Sequence, residues 1–252
     1  ARVYMVVEGE NLVTSAKSTG LGLVELATAL DNLKPDAVVT VADRHETLAT
    51  AVAASYMNIP VVHVQGGENT GSIDDKVRHA VTKLSNLHLV STSKAAERVI
   101  RLGEDPSMVV VTGCPSIDLA AGILERPALN FDPFKKYGGL GAPVDLSQGY
   151  IVVMQHPVTT EYEESRRQIV ETLYAVHELA LPTLLFWPNV DAGSEGTSTG
   201  IRAFRELEEI SDVHFLKNML PEDFLRLVYH SSCLHFGSFL CVSLCTITAI
   251  KS

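Results

Sequence analysis

The chain has 252 residues, 46% of them hydrophobic, and 30 acidic against 20 basic side chains give a formal charge of -10. That length supports one large or two modest domains, each with a real core. The acidic balance and the lack of any Lys/Arg block argue against nucleic acid as the partner, while leaving room for an anionic small ligand held by a few arginines and backbone N–H groups.

In chain order, residues 3–7 are a short apolar run, and residues 12–33 have helical spacing with a break or bend expected near Gly20 and Gly22. Pro35 ends that helix, and AVVTVA at 37–42 reads as a buried parallel strand, short, β-rich and uncharged. An Ala-rich helix over 46–58 follows, then a strand over 61–65 opened by Pro60. Ile73, Val77, Val81 and Leu84 recur at helical spacing, so 74–85 is an amphipathic helix. A strand at 87–91, a helix at 94–102 stopped by Gly103, and a strand at 108–112 complete this half. Residues 120–149 are rich in Pro, Gly and charge and read as a linker.

Alternation then resumes, with strands at 150–155, 182–187 and 214–216 and helices at 161–179, 200–210 and 221–228. The pattern predicts an α/β protein with two Rossmann-like doubly wound domains facing a cleft, at 1–119 and 150–252. Residues 227–250 hold no formally charged side chain, a length that could cross a bilayer. Ser, Thr, Cys and His interrupt the run repeatedly, so it reads as a buried segment or a tail foreign to the fold, and no membrane partner is expected. Cys114, Cys233, Cys241 and Cys245 show no paired metal spacing, and with no signal-peptide pattern a reducing cytoplasm is expected.

The chemistry-bearing stretch is 43–85, where Asp43, Arg44, Gln65, Glu68 and Asp74 fall on or just after strand ends. In an open parallel sheet, ligands bind beyond those carboxyl ends. Each residue also has a plainer reading. Asp43 could cap the next helix. Gly66-Gly67 could be an ordinary turn rather than a close backbone approach to a ligand. Glu68 could be a solvated loop residue. Asp74 is favoured at a helix start in any case, and could simply pair with Arg78 at i,i+4. His63, inside an apolar strand, reads as a satisfied core histidine. His156, Asn189 and Asp191 differ in ending strands of the second half, which makes them cleft candidates.

Taken together, DRHETLATAVAASYMNIPVVHVQGGENTGSIDDKVRHAVTKLSNLHLVST, RVIRLGEDPSMVVVTGCPSID, QHPVTTEYEESRRQIVETL and FWPNVDAGSEG resemble the hydrolysing UDP-N-acetylglucosamine 2-epimerases of sialic-acid-type sugar pathways. That group includes the epimerase half of the bifunctional epimerase/N-acetylmannosamine kinase. The GGE-x-TGSIDDK-x-RHA-x-TKLS motif is the most specific part. The resemblance implies a GT-B-like fold with the nucleotide sugar between its domains. It also implies elimination of UDP to an enzyme-bound 2-acetamidoglucal and hydration to N-acetylmannosamine. Neither a redox cofactor nor a metal is implied, and a homo-oligomer, dimer or tetramer, is expected.

Carried over by position, Asp43, Asp74 and His156 match family active-site residues, with Arg44 and Asn189 as ligand contacts; Gln65, Gly66, Gly67 and Asp191 are added as substrate-side candidates. Removing the unactivated C2 proton needs a carboxylate base, and the departing diphosphate needs donors or positive charge. Gln65 stands where eukaryotic members carry Glu. Since Gln cannot act as a base, either Glu68 takes that role or the chemistry is impaired. Ala42 replaces a Gly. The resemblance further implies truncation at both ends, with the first strand and phosphate loop absent before Ala1 and the uridine-diphosphate loop replaced by SSCLHFGSFL at 231–240.

Overall fold

A computed structural model describes residues 2–8, 11–70, 73–157, 159–188, 193–207 and 211–237. The chain divides into two compact units, Ala1–Pro115 and Ser116–Ser252.

The first unit opens with α1 (Leu12–Leu33). Asn11 caps it by accepting from the Val13 and Thr14 N–H groups, while Thr14 Oγ1 accepts from the Asn11 N–H, a reciprocal capping box. The helix is continuous through Gly20 and Gly22, where a break was expected. The Met5 side chain lies against Gly22, in space that a Cβ would need. There follow β1 (Val38–Val41), α2 (His45–Tyr56), β2 (Val61–Val64), α3 (Ile73–Leu84), β3 (Leu87–Val90), α4 (Ser93–Arg101) and β4 (Val109–Val111). The strands form a parallel sheet in the order β1-β2-β3-β4, with Val38 opposite Val61, Val62 opposite Leu87 and His88 opposite Val109.

A sheet that grows in one direction through right-handed crossovers puts its connecting helices on one face. Packing agrees. Ala51, Ala53 and Ala54 of α2 and Val81 of α3 cluster with Val61, while Ala95 and Val99 of α4 cluster with Val90. The alanines let α1, through Leu30, share the same layer. Side chains alternate across a strand, and the opposite face stays open: Val39 is 62% exposed and Val41 51%. Val62, Val64, Leu87 and Leu89, which share that face, are only half-buried.

The second unit is α5 (Pro115–Glu125), α6 (Pro133–Tyr137), β5 (Ile151–Gln155), α7 (Ser165–Leu179), β6 (Thr183–Phe186), α8 (Ser194–Leu207), β7 (Val213–Leu216), α9 (Pro221–His230) and β8 (Cys233–Gly237). Its parallel sheet has the order β7-β6-β5-β8. The chain steps outward from β5 to β7, then returns through α9 to the other side of β5, so helices cover both faces. One face packs Ile151, Val153, Leu185 and Phe215 against Ile169, Leu173, Ile201 and Phe204 of α7 and α8. The other packs Val152, Leu184, Phe186 and Leu216 against Leu227 and Val228 of α9.

The stretch 120–149, read from sequence as a linker, contains the end of α5 and all of α6. Leu129, Phe131, Phe134, Tyr137, Val144 and Leu146 pack on the second core. Apolar residues among the Pro and Gly punctuation fasten this segment, and His214, whose ring nitrogens lie 3.1 and 2.9 Å from the Ala142 and Gly138 carbonyls, helps hold it. Strand β8 lies inside the uncharged run, and residues 238–250 of that run fall outside the described residues. Among the described residues, no helix is long and apolar enough to cross a membrane.

Candidate functional site

The site candidates of the first unit gather at the carboxyl ends of β1 and β2. Both strands end on a non-glycine residue with left-handed backbone, Ala42 at φ 63° and Gln65 at φ 64°, a conformation that costs on the order of 1 kcal/mol and persists only when neighbours fix it. They do. The Ala42 N–H donates to Val64 O at 3.0 Å and the Gln65 N–H to Leu89 O at 2.9 Å. The Ala42 carbonyl lies 2.9 Å from His63 Nε2, and His63 Nδ1 lies 3.1 Å from Thr82 Oγ1. Because a carbonyl can only accept, Nε2 carries the proton and Nδ1 accepts from the threonine hydroxyl. Burial pushes the His63 pKa down to about 4, in keeping with that neutral ring. His63 is therefore a core histidine that pins the residue before Asp43.

Asp43 does not cap α2, whose N-cap is Arg44 with no side-chain capping bond. Its carboxylate is buried and ion-paired with the Arg78 guanidinium of α3. Arg78 is itself buried, and its Nη1 donates to Asp75 Oδ1 at 2.8 Å and to the Glu68 carbonyl at 2.9 Å. Desolvation lowers the Arg78 pKa from its ordinary value, but a guanidinium starts so high that it stays charged. Asp75 Oδ1 also accepts from the Thr70 N–H at 2.7 Å and the Thr70 hydroxyl at 3.0 Å. From α4, Arg98 Nη1 donates to the Gly67 carbonyl at 3.0 Å. The loop after β2 is thus tied to two helices through its own backbone.

The glycines belong to the same fastening. A Cβ on Gly66 would come within 2.9 Å of His63 Nδ1 and 3.1 Å of Thr82 Oγ1, and one on Gly67, at φ 77°, would collide with the Ala95 carbonyl. Close packing within the unit, against side chains at Gly66 and against the α4 backbone at Gly67, calls for glycine at both. Gln65 Nε2 donates to Cys114 Sγ at 3.3 Å. Glu68 is half-buried, and Asp74 sits half-buried in the first turn of α3, where the helix dipole favours a carboxylate. Arg44 turns along its own segment, with Nε 3.2 Å from Glu46 Oε2.

In the second unit, His156 follows β5 directly, and β5 lies between β6 and β8 where the strand order reverses. That is the topological switch point, the ordinary seat of a ligand in an open sheet. A groove of about 650 Å³ runs from it along α7, lined by Gln155 and His156 at one end, by Gln168, Glu171 and His235 along its length, and by Leu179 with Ile151 and Cys233, at the amino ends of β5 and β8, at the other. Asn189 and Asp191 fall outside the described residues. Among the described residues, no group of three His, Cys, Asp or Glu side chains is placed to hold a metal ion.

The structure therefore links Asp43 and the Glu68 backbone through Arg78, a connection that sequence reading missed. The plainer reading of Asp74 paired it with Arg78 at i,i+4, whereas Arg78 pairs with Asp75 at i,i+3 and reaches back to Asp43. One signal was available: Arg78 lies three and four residues before buried Val81 and Thr82, on the face that α3 turns inward.

The sequence profile of the family described as UDP-N-acetylglucosamine 2-epimerase matches residues 1–235. Among characterised relatives, the UDP-N,N'-diacetylbacillosamine 2-epimerase (hydrolyzing) of Legionella pneumophila is 31% identical over 216 residues, 86% of this chain and 55% of that protein. The UDP-N-acetylglucosamine 2-epimerase of Neisseria meningitidis is 33% identical over 165 residues, 66% of this chain and 42% of that protein. Among solved structures, the Neisseria meningitidis UDP-GlcNAc 2-epimerase bound to UDP-GlcNAc aligns with a TM-score of 0.71 at 19% identity, covering 92% of this chain and 62% of that one. The chain spans about half the length of these curated relatives. With its profile match running through both α/β units, the chain belongs to the UDP-N-acetylglucosamine 2-epimerase family.

Proposed function

We propose that this chain carries the hydrolysing 2-epimerase chemistry, converting UDP-N-acetylglucosamine to N-acetylmannosamine and UDP. A base takes the C2 proton as the C1–O bond to UDP breaks, giving 2-acetamidoglucal; water then adds at C1 and a proton returns to C2 on the other face. Asp43, Glu68 and Asp74 form the acid/base set, and His156 serves the diphosphate or a proton transfer. Arg44, Gln65, Gly66, Gly67, Asn189 and Asp191 contact the substrate. The observation that carries this reading is the buried Asp43–Arg78 pair at the carboxyl end of β1. The ion pair fixes that carboxylate beside a loop held in one position, which supplies the orientation a general base needs rather than added basicity. The reading expects a cytoplasmic homo-oligomer needing neither metal nor redox cofactor.

Proton NMR of the chain with UDP-GlcNAc in deuterated water tests it. N-acetylmannosamine deuterated at C2, together with free UDP, is the expected product. Asp43→Asn should cut the rate at least about 100-fold in a chain that still folds but melts lower, because Arg78 loses a buried counter-charge, and retained turnover would remove Asp43 from the mechanism. Gln65→Glu should raise the rate about 10-fold or more if that position is the missing base; an unchanged rate would assign the role to Glu68.

A second reading keeps the chemistry and changes the sugar to a UDP-diacetamido-trideoxyhexose. The Legionella relative, aligned over 86% of this chain, supports it. Offering both nucleotide sugars in one competition assay separates the two. Binding without release of UDP from either would point to a nucleotide-sugar-binding chain without turnover.

A further inference from the structure

We propose that Arg78 is the positioning residue of this site. A single buried guanidinium bridges Asp43 and Asp75 and grips the Glu68 carbonyl, so the carboxylate ending β1 and the loop ending β2 are set by one group. The proposal rests on the epimerase reading for its consequence in turnover and on geometry alone for its effect on Asp43. Three acceptors from three places in the chain converge on Arg78: Asp43 after β1, the Glu68 backbone after β2, and Asp75 one turn back on α3. The guanidinium serves them from two nitrogens, Nη1 and Nη2, whereas Lys would keep the charge as a point on a single nitrogen and lose the fork. Asp75 in turn holds Thr70 by its N–H and hydroxyl, so the order passes along the loop beyond Glu68.

The charged groups around Asp43 define what removal of Arg78 would do. From α3 come Arg78 itself, with Asp75 bound to it, and Asp74 in the same first turn. From the strand ends come neutral His63, hydrogen-bonded to the Ala42 carbonyl, and the side chain of Glu68 in the loop. On the α2 side, Arg44 and His45 both engage Glu46. Arg78 is the cation bonded to the buried carboxylate. Without it, Asp43 would be a buried carboxylate stripped of its ion-pair partner and would hold its proton to higher pH.

The test compares wild type, Arg78→Lys and Arg78→Met by turnover across pH and by carboxyl ¹³C NMR titration of labelled Asp. For Arg78→Met, kcat should fall about 100-fold or more, and the acid limb of its pH profile should move up by at least about one unit. Added guanidinium ion should restore part of the loss. Arg78→Lys should leave the acid limb in place and still lose activity, because the Glu68 carbonyl is released. An equal loss at every pH with an unmoved limb and no rescue would mean ordinary destabilisation and overturn the proposal. If wild type turns over no sugar offered, the epimerase reading fails by itself, and the NMR titration still decides. A higher Asp43 midpoint in Arg78→Met supports the proposal, and equal midpoints sink it. Should Arg78→Met fail to fold, the double variant Arg78→Met/Asp43→Asn should fold, since it removes the stranded charge. A double variant that also fails would place Arg78 in general stability.

Discussion

The two sheets make a useful pair. Each has four parallel strands, yet they solve burial differently. The β7-β6-β5-β8 sheet is packed on both faces by Ile, Leu, Val and Phe, and its buried ionisable groups, His214 and Asp223, lie on the edge strand β7 and in the first turn of α9. The β1-β2-β3-β4 sheet carries its helices on one face, and its interior includes His63, His88, Thr82, Arg78 and Asp43. The first arrangement draws stability from apolar area and aromatic packing. The second places His63 and His88 on its central strands, where the first has Val153 and Leu185, and such groups are tolerated when paired and hydrogen-bonded. Polar interiors near strand ends are where chemistry can be housed, so the less conventionally packed unit is the one that holds most of the site candidates.

That contrast can be broken by mutation. In the aliphatic unit, Phe204 is buried and meets Tyr174 edge to face at 4.9 Å between ring centroids. Phe204→Ala should cost about 3–5 kcal/mol, read as a lower urea midpoint for that unit. A cost below about 1 kcal/mol would show that the core is loosely packed. In the polar unit, acid should be the destabiliser. Above pH 6.5, His63 is neutral folded or unfolded; between 6.5 and about 4 only the unfolded chain gains the proton, and below 4 the loss levels off. The first unit should therefore lose about 3 kcal/mol across that window, and an acid transition that ignores His63→Gln would contradict the assignment. The smallest effect belongs to the open face. Val39→Thr should change stability by no more than about 0.5 kcal/mol, and a large loss would mean that something covers Val39 in solution.

Much of the fold was legible because period and punctuation agree. Helix α1 was read at its observed bounds from spacing and Pro35, and the strands of the first unit within a residue or two. The failures have physical causes. Helix α6 was lost in a segment whose Pro and Gly signal turns, although Phe134 and Tyr137 are core residues. Strand β8 was invisible in an uncharged run without alternation, since a buried strand and a buried helix look alike there. Asp43 could be placed at a strand end from the pattern, but its partner 35 residues away could not. Sequence spacing exposes i,i+3 and i,i+4 neighbours, whereas Arg78 reaches across a crossover that exists only once β1 and β2 pair.

The bond from Gln65 to Cys114 gives the loop after β2 a chemical reporter. Cys114 is half-buried with its sulfur against the Gln65 amide, while Cys233 is exposed at the start of β8. Alkylation followed by peptide mass spectrometry can therefore be scored at Cys114 as the ratio of labelling with and without a nucleotide sugar. A nucleotide sugar that seats on the loop and draws Gln65 away would change the labelling ratio without any bond in the sugar being broken. Occupancy of the site becomes measurable separately from turnover, in variants built to have none.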